Sequence, residues 1–145
     1  MIRLAEYEDL EGIAQLMYFV FQQKLQDSYS DKGRSNFLEL ISLSSLQKRF
    51  LSQSTFFISV DEDNIEAMIE IEEPCHIAFL FSKIENRGLA RSLCEYALNE
   101  QEEEICTVGS VKGAIGFYKK LGFIQVGDET IAHDMSFTLM AKSLK

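Results

Sequence analysis

His76-Ile77-Ala78-Phe79-Leu80-Phe81-Ser82, followed by Lys83-Ile84-Glu85-Asn86-Arg87-Gly88-Leu89-Ala90, is the stretch on which the fold turns. Its first part is apolar on both faces, the pattern of a strand covered by helices on both sides. A polar turn follows. Gly88 then opens a helix with apolar residues at Leu89, Ala90, Leu93, Cys94, Ala97 and Leu98. A helix start presents unpaired N–H groups and partial positive charge to an anion, so strand, glycine turn and helix form a phosphate-binding layout. Arg87 and Arg91 flank the turn and are suited to phosphate oxygens. The plainer reading, a glycine that simply begins a helix after a strand, stands beside it. No Gly-Lys-Ser/Thr follows, and only one of the three glycines of a dinucleotide fingerprint is present.

Working outward, Ile2 to Ala5 reads as a short strand, and Asp9 precedes a helical face through Leu10, Ile13, Met17, Val20, Phe21 and Leu25. A second helical region carries Phe37, Leu38, Ile41, Leu46, Phe50 and Leu51, with Ser42, Ser44 and Ser45 interrupting it and capping a second piece. Thr55 to Val60 is β-rich, and Asp61-Glu62-Asp63-Asn64 reads as a hairpin turn. Ile65, Ala67, Ile69 and Ile71 alternate with Asn64, Glu66, Met68, Glu70 and Glu72, which describes a strand with one mostly polar face, ended by Pro74. Ile105 to Val108 is a further strand. Ala114, Ile115, Phe117, Tyr118 and Leu121 form an amphipathic helix stopped by Gly122. Phe123 to Val126 and Ile131 to Ala141 read as two closing strands. The order β-α-α-β-β-β-α-β-α-β-β implies a sheet sandwiched between helices, in one domain spanning 1–145.

Composition narrows the function. The 145 residues carry 14 Lys and Arg against 23 Asp and Glu, a formal charge of −9. Such a surface repels phosphate backbones and anionic lipids, so neither nucleic acid nor membrane is expected as a partner. The first ten residues carry charges and lack an apolar run, so no signal peptide and a cytoplasmic location are expected. Cys75, Cys94 and Cys106 are odd in number, without a Cys-x-x-Cys pair, and read as reduced, packed thiols with no metal site.

The second chemical stretch is Ala114-Ile115-Gly116-Phe117-Tyr118-Lys119-Lys120-Leu121-Gly122-Phe123. By itself it is a short helix whose aromatics pack and whose end is a glycine cap. Together with the first stretch it carries a resemblance. Glu85-Asn86-Arg87-Gly88-Leu89-Ala90 resembles the Gln/Arg-x-x-Gly-x-Gly/Ala motif of the GNAT superfamily of acyl-CoA-dependent N-acetyltransferases. Phe117-Tyr118-Lys119-Lys120-Leu121-Gly122-Phe123 is similar to that superfamily's Phe-Tyr-x-Lys-Leu-Gly-Phe segment. The separation, with one strand between, agrees, as do Ile2-Arg3-Leu4-Ala5 and Glu8-Asp9-Leu10 at the opening.

The resemblance covers nearly the whole chain and implies an α/β (α+β) architecture: a three-layer αβα sandwich around a mixed, mostly antiparallel sheet. It implies acetyl-CoA as co-substrate and a primary amine, of a small molecule or a peptide, as acceptor. The strand 76–82 is expected to splay from the strand 105–108. The pantetheine arm would lie in that gap, paired with backbone at Leu80, Phe81 and Ser82. The pyrophosphate would sit on the turn formed by Arg87, Gly88, Leu89, Ala90 and Arg91. Ser110 matches a family serine on the cofactor side, and Tyr118 matches the tyrosine that donates a proton to the departing thiolate. Amine attack on a thioester creates an oxyanion, and sulfur leaves more easily when a proton is supplied. Dimers are common in the family, and nothing in this chain demonstrates one.

Several residues depart from the family pattern. The strand from Ile77 to Phe81 lacks an acid, and His76 is the titratable side chain at its start, either a base or a structural histidine. Glu70, Glu72 and His133 are lesser candidates. Glu85 replaces Gln or Arg and adds negative charge beside a phosphate site. Gly109 stands where an asparagine often precedes the serine. Asp61 to Glu73 holds seven acids and no basic residue, forming either a solvated hairpin or an attraction for polyamine, aminoglycoside or lysine-bearing acceptors. Tyr29, Phe37 and Phe50 are candidates for the acceptor wall. Two other readings remain open at this stage: a non-catalytic acyl-CoA-binding regulatory module of the same fold, and a transferase acting on aminoacyl-tRNA, against which the charge argues.

Overall fold

A computed structural model describes residues 1–85, 88–132 and 135–145. Strand β1 (Ile2–Leu4) leads into α1 (Leu10–Val20), whose last turns widen into a π-helical segment, Phe21–Leu25. Helices α2 (Asp31–Leu40) and α3 (Leu43–Ser52) follow, then β2 (Ser54–Asp61), β3 (Asn64–Glu72) and β4 (His76–Ser82). Helix α4 (Leu89–Asn99), β5 (Ile105–Ser110), α5 (Ile115–Lys120), β6 (Ile124–Ala132) and β7 (Met135–Ser143) complete the chain.

The local chemistry explains most boundaries. Asp9 accepts from the Glu6 N–H and from both Nη atoms of Arg3, which ties β1 to the start of α1. Ser30 caps α2 by accepting from Gly33 N–H, and Ser42 caps α3 by accepting from Ser45 N–H, so the serines do divide the second helical region. Glu62 and Asp63 both adopt positive φ, 47° and 67°, as a two-residue hairpin loop between right-twisted strands requires. Gly122, with φ of 100°, ends the α5 turn in a conformation that costs other residues energy.

The seven strands run in the order β1-β2-β3-β4-β5-β7-β6. All pairs are antiparallel except β4 with β5. Two buried clusters lie on opposite faces of the sheet. Leu10, Ile13, Met17, Phe21, Phe37 and Leu46 pack on Phe56, Ile58 and Met68, while Leu93, Cys94 and Ala97 pack on Phe57, Ala67 and Ile69. The chain is a three-layer αβα sandwich.

Two strand readings change. The second face of β3 is not solvated: Met68 and Glu70 are fully buried beneath α1 and α3, because those helices cover the side that the acids suggested was wet. The final hairpin divides later in the chain than the two strand readings imply: β6 runs on from Ile124 to Ala132, and β7 begins at Met135. Ile131 belongs to β6 and pairs with Ser136, and Ala132 pairs with Met135. Gly127-Asp128-Glu129-Thr130 is turn-like in composition, but the pairs Glu129 with Thr138 and Thr130 with Phe137 hold it within β6. His133 lies outside the described residues, as do Asn86, Arg87 and Asp134.

Candidate active site

β4 and β5 are hydrogen-bonded neighbours for two register pairs only, His76 with Thr107 and Ile77 with Val108. Beyond Ile77 they separate. The separation begins at an irregularity in β4: Glu70 pairs with Phe79 and Ile71 with Ile77, leaving Ala78 as an extra residue between them. A bulge bends its strand and increases local twist. From Phe79 to Ser82, β4 remains paired with β3 on one side, and from Ala78 onward it has no strand partner in the β5 direction. A free strand edge accepts an extended amide-bearing chain.

The opening is a cleft of about 290 Å³. Ala78, Leu80 and Phe81 line it from β4, Gly109 and Ser110 from β5, and Tyr118 from α5. Ser110 is buried, and its hydroxyl donates to the Val111 carbonyl across 2.9 Å. Leu80 and Phe81 are thus among the cleft-lining residues, whereas Ser82 is outside the lining and donates to the Ile84 carbonyl across 2.8 Å.

Gly88 is the N-cap of α4 with φ of 71°, and a Cβ built there would meet nothing within 4 Å. Glycine is therefore needed there for its backbone conformation and not to avoid a clash. Leu89 packs on the α4-side cluster and Ala90 is half-buried. Arg91 projects outward and pairs with Glu95 one turn on, at 2.8 Å. Arg87 lies outside the described residues. Glu85 is neutralised by Lys24, 3.1 Å away in the π-helical segment, a pairing that sequence reasoning missed because the two residues are far apart in the chain.

Tyr118 is 7% exposed, held between Phe117 and Phe123 at ring distances of 5.1 Å and 5.5 Å. Burial raises the pKa of its phenol well above the ordinary tyrosine value, and the neighbouring Cys94 and Cys106 act in the same direction. The group therefore stays protonated at neutral pH. No described side-chain nitrogen or oxygen is sealed from solvent without a partner, and the Tyr118 hydroxyl makes no hydrogen bond within the described residues. It consequently opens to the cleft.

The remaining candidates are distributed differently. His76 sits at the closed end, where β4 and β5 still pair, with Nδ1 2.7 Å from Thr107 Oγ1, and is not among the cleft-lining residues. Glu70 is fully buried, held by Arg49 and by the Ser54 hydroxyl at 2.6 Å. Glu72 accepts from the Gln53 side chain across 3.0 Å. None of the hairpin acids lines the cleft. Tyr29 and Phe37 do line it, whereas Phe50 packs on Tyr7 and Phe56. Leu25, Leu40, Phe79 and Phe137 also line it. The alternation of Phe79 and Phe81 was a visible signal for the first wall; the π-helical widening that brings Leu25 in left none.

Residues 25–144 match the family model described as the acetyltransferase (GNAT) domain, and the chain belongs to that family. Acetyl-CoA is accordingly its co-substrate, and the free β4 edge and open Gly88 turn fit that extended, anionic molecule. A GCN5-related N-acetyltransferase from Rhodopseudomonas palustris superposes with a TM-score of 0.81 at 18% identity, covering 99% of this chain and 94% of the other. The PaiA N-acetyltransferase from Thermoplasma acidophilum, in complex with coenzyme A, gives 0.81 at 19% identity, covering 99% and 98%. An aminoglycoside 6′-acetyltransferase type Ii gives 0.76 at 16% identity, covering 100% and 97%. Among curated proteins, none matches this chain in sequence. No helix among the described residues is long and apolar enough to cross a membrane.

Proposed function

We propose that the protein transfers an acetyl group from acetyl-CoA to a primary amine by direct attack, with Tyr118 as the general acid. The observation that carries this reading is the Tyr118 hydroxyl, kept neutral by burial yet opening to the gap where β4 and β5 part. Bound acetyl-CoA supplies an activated acyl carbon and a thiolate leaving group. The free backbone from Ala78 to Ser82 orients the arm that carries it, and the α4 N-terminus with Gly88, Leu89, Ala90 and Arg91 receives the phosphates. Arg87 is proposed for the same role from the motif alone.

In the reaction the amine nitrogen bonds to the acyl carbon, the carbon–sulfur bond breaks, and the tyrosine proton goes to sulfur. The phenolate then recovers a proton from the attacking nitrogen or from water. A thiolate with a pKa near ~8.5 takes a proton from a phenol less readily than from a stronger acid, but only a group still protonated can give one. No carboxylate or imidazole is among the described cleft-lining residues, so we assign deprotonation of the amine to bulk water before binding. His76 is given a holding role on Thr107.

An amine panel followed by thiol release tests the reading. Turnover above hydrolysis with at least one primary amine is expected, and calorimetry should show saturable acetyl-CoA binding. The absence of a lining base favours one other reading, a non-catalytic acyl-CoA-binding module. Saturable binding without transfer to any amine across the pH range would select it.

A further inference from the structure

The side of the cleft toward α1–α3 is apolar and aromatic. Along β4, Leu80 packs with the α4-side cluster, whereas Phe79 and Phe81 pack toward α1–α3. Phe37 of α2 meets Phe79 edge-on at 5.7 Å and stacks on Phe21 at 4.6 Å, and Tyr29 meets Phe37 at 5.4 Å. None of the described lining residues is charged; their polar side chains are the hydroxyls of Tyr29, Ser110 and Tyr118. The nearest buried acid behind this wall, Glu70, is consumed by Arg49, whose guanidinium lies 5.7 Å from the Phe79 ring centroid.

We infer that the acceptor is a monoamine carried on an aromatic or aliphatic body, and not a polycation. The inference rests on the acetyl-transfer reading of the cleft and adds the class of substrate to it. An apolar body removes its own surface and that of the ring wall from water together. Each ammonium beyond the reacting amine would leave water for a wall that returns no anion. The acids of the 61–73 hairpin, which read either as a solvated hairpin or as an attraction for a cationic acceptor, lie outside the lining.

The test is calorimetric titration of the full chain with 2-phenylethylamine, spermidine and kanamycin, with and without saturating CoA, alongside turnover with acetyl-CoA. 2-Phenylethylamine should bind at least tenfold more tightly and show at least tenfold higher kcat/KM. Phe79→Glu should lower its affinity at least tenfold and raise that of spermidine. Leu40→Glu, at a half-exposed position on the cleft rim, should act in the same sense and serves if the first variant does not fold. Equal or tighter binding of spermidine or kanamycin overturns the inference. So does failure of every amine to bind a chain that binds acetyl-CoA. Octanoyl-CoA binding more than tenfold tighter than acetyl-CoA, abolished by Phe79→Glu, also overturns it and gives the wall to an acyl chain. Retained preference for 2-phenylethylamine without acetyl-CoA binding would instead uphold the inferred selectivity while rejecting the acetyl-transfer reading.

Discussion

Arg49 Nε donates to Glu70 Oε2 across 2.7 Å and Arg49 Nη2 donates to Glu70 Oε1 across 3.1 Å, joining α3 to the middle of β3 in a two-point pair. Glu70 is fully buried, and Ser54 completes its hydrogen bonding. The pair also backs the Phe79 side of the cleft. Removing one partner strands a buried charge, which costs about 3 kcal/mol or more. Glu70→Ala should lower the unfolding free energy read from urea denaturation by about that amount. The double replacement Arg49→Met with Glu70→Leu should fall much nearer the parent, since neither charge is then left alone.

Tyr118→Phe keeps the ring between Phe117 and Phe123 and removes only the proton donor. The hydroxyl has no partner within the described residues, so thermal stability should change little. Turnover should fall about a hundredfold or more while CoA affinity stays within about twofold. Because burial raises the pKa of Tyr118 above the ordinary value of 10.0, the parent rate should rise with pH as the amine deprotonates. It should show no falling limb from this residue below about pH 10. A thiol-release profile over pH 6 to 10 checks both statements.

The buried thiols make stability sensitive to alkali. Burial lifts Cys94 from 9.0 to about 12 and raises Cys75 and Cys106 as well. These groups stay protonated in the folded chain and ionise first in the unfolded one. Their contribution is therefore fully present below about pH 9 and is lost as pH rises toward the folded value, at about 1.4 kcal/mol per pH unit for each such thiol. Urea midpoints should be level from pH 7 to 8.5 and fall from 9 to 11. Cys94→Ala should start lower and fall less steeply.

Lys24 pairs with Glu85, three residues before Gly88 and the turn proposed to receive the phosphates. The pair is largely exposed, so its effect on stability should be small. Its effect on an anionic ligand is larger in proportion. Lys24→Ala should weaken CoA binding about two- to fivefold at low ionic strength, and the difference should vanish near 0.5 M salt. Adding Glu85→Gln should restore the parent affinity. Calorimetry at two salt concentrations reads both.

The β2–β3 hairpin holds two acidic residues at positive φ, a conformation that favours Asn and Gly. Replacing Glu62 and Asp63 by Asn and Gly should stabilise the fold by about 1 kcal/mol without touching the cleft, which these residues do not line. A rise in thermal midpoint at unchanged turnover is the expected result.

Local chemistry made much of the fold legible before any coordinates. Period-two and period-3.6 patterns marked the strands and helices, Ser42 marked a cap, and the 61–64 segment marked its turn; acetyl-CoA came only from the family resemblance that the Gly88 and Tyr118 stretches carry. These signals depend on neighbours within a few residues, and sequence spacing carries them. Burial of Glu70 was not legible in this way, because a carboxylate enters a core only when a partner from another element meets it, here Arg49 from α3. The parting of β4 from β5 at Ala78, the position of His76 at the closed end, and the uncharged wall of the cleft likewise arise from pairings between residues far apart in the chain. Charge along the sequence left two readings of the 61–73 acids, a solvated hairpin or an attraction for a cationic acceptor. In the folded chain the hairpin acids are not among the described residues lining the cleft, whereas Phe37, Phe79 and Phe81 are, because which side chains share a cavity is fixed by contacts between distant elements.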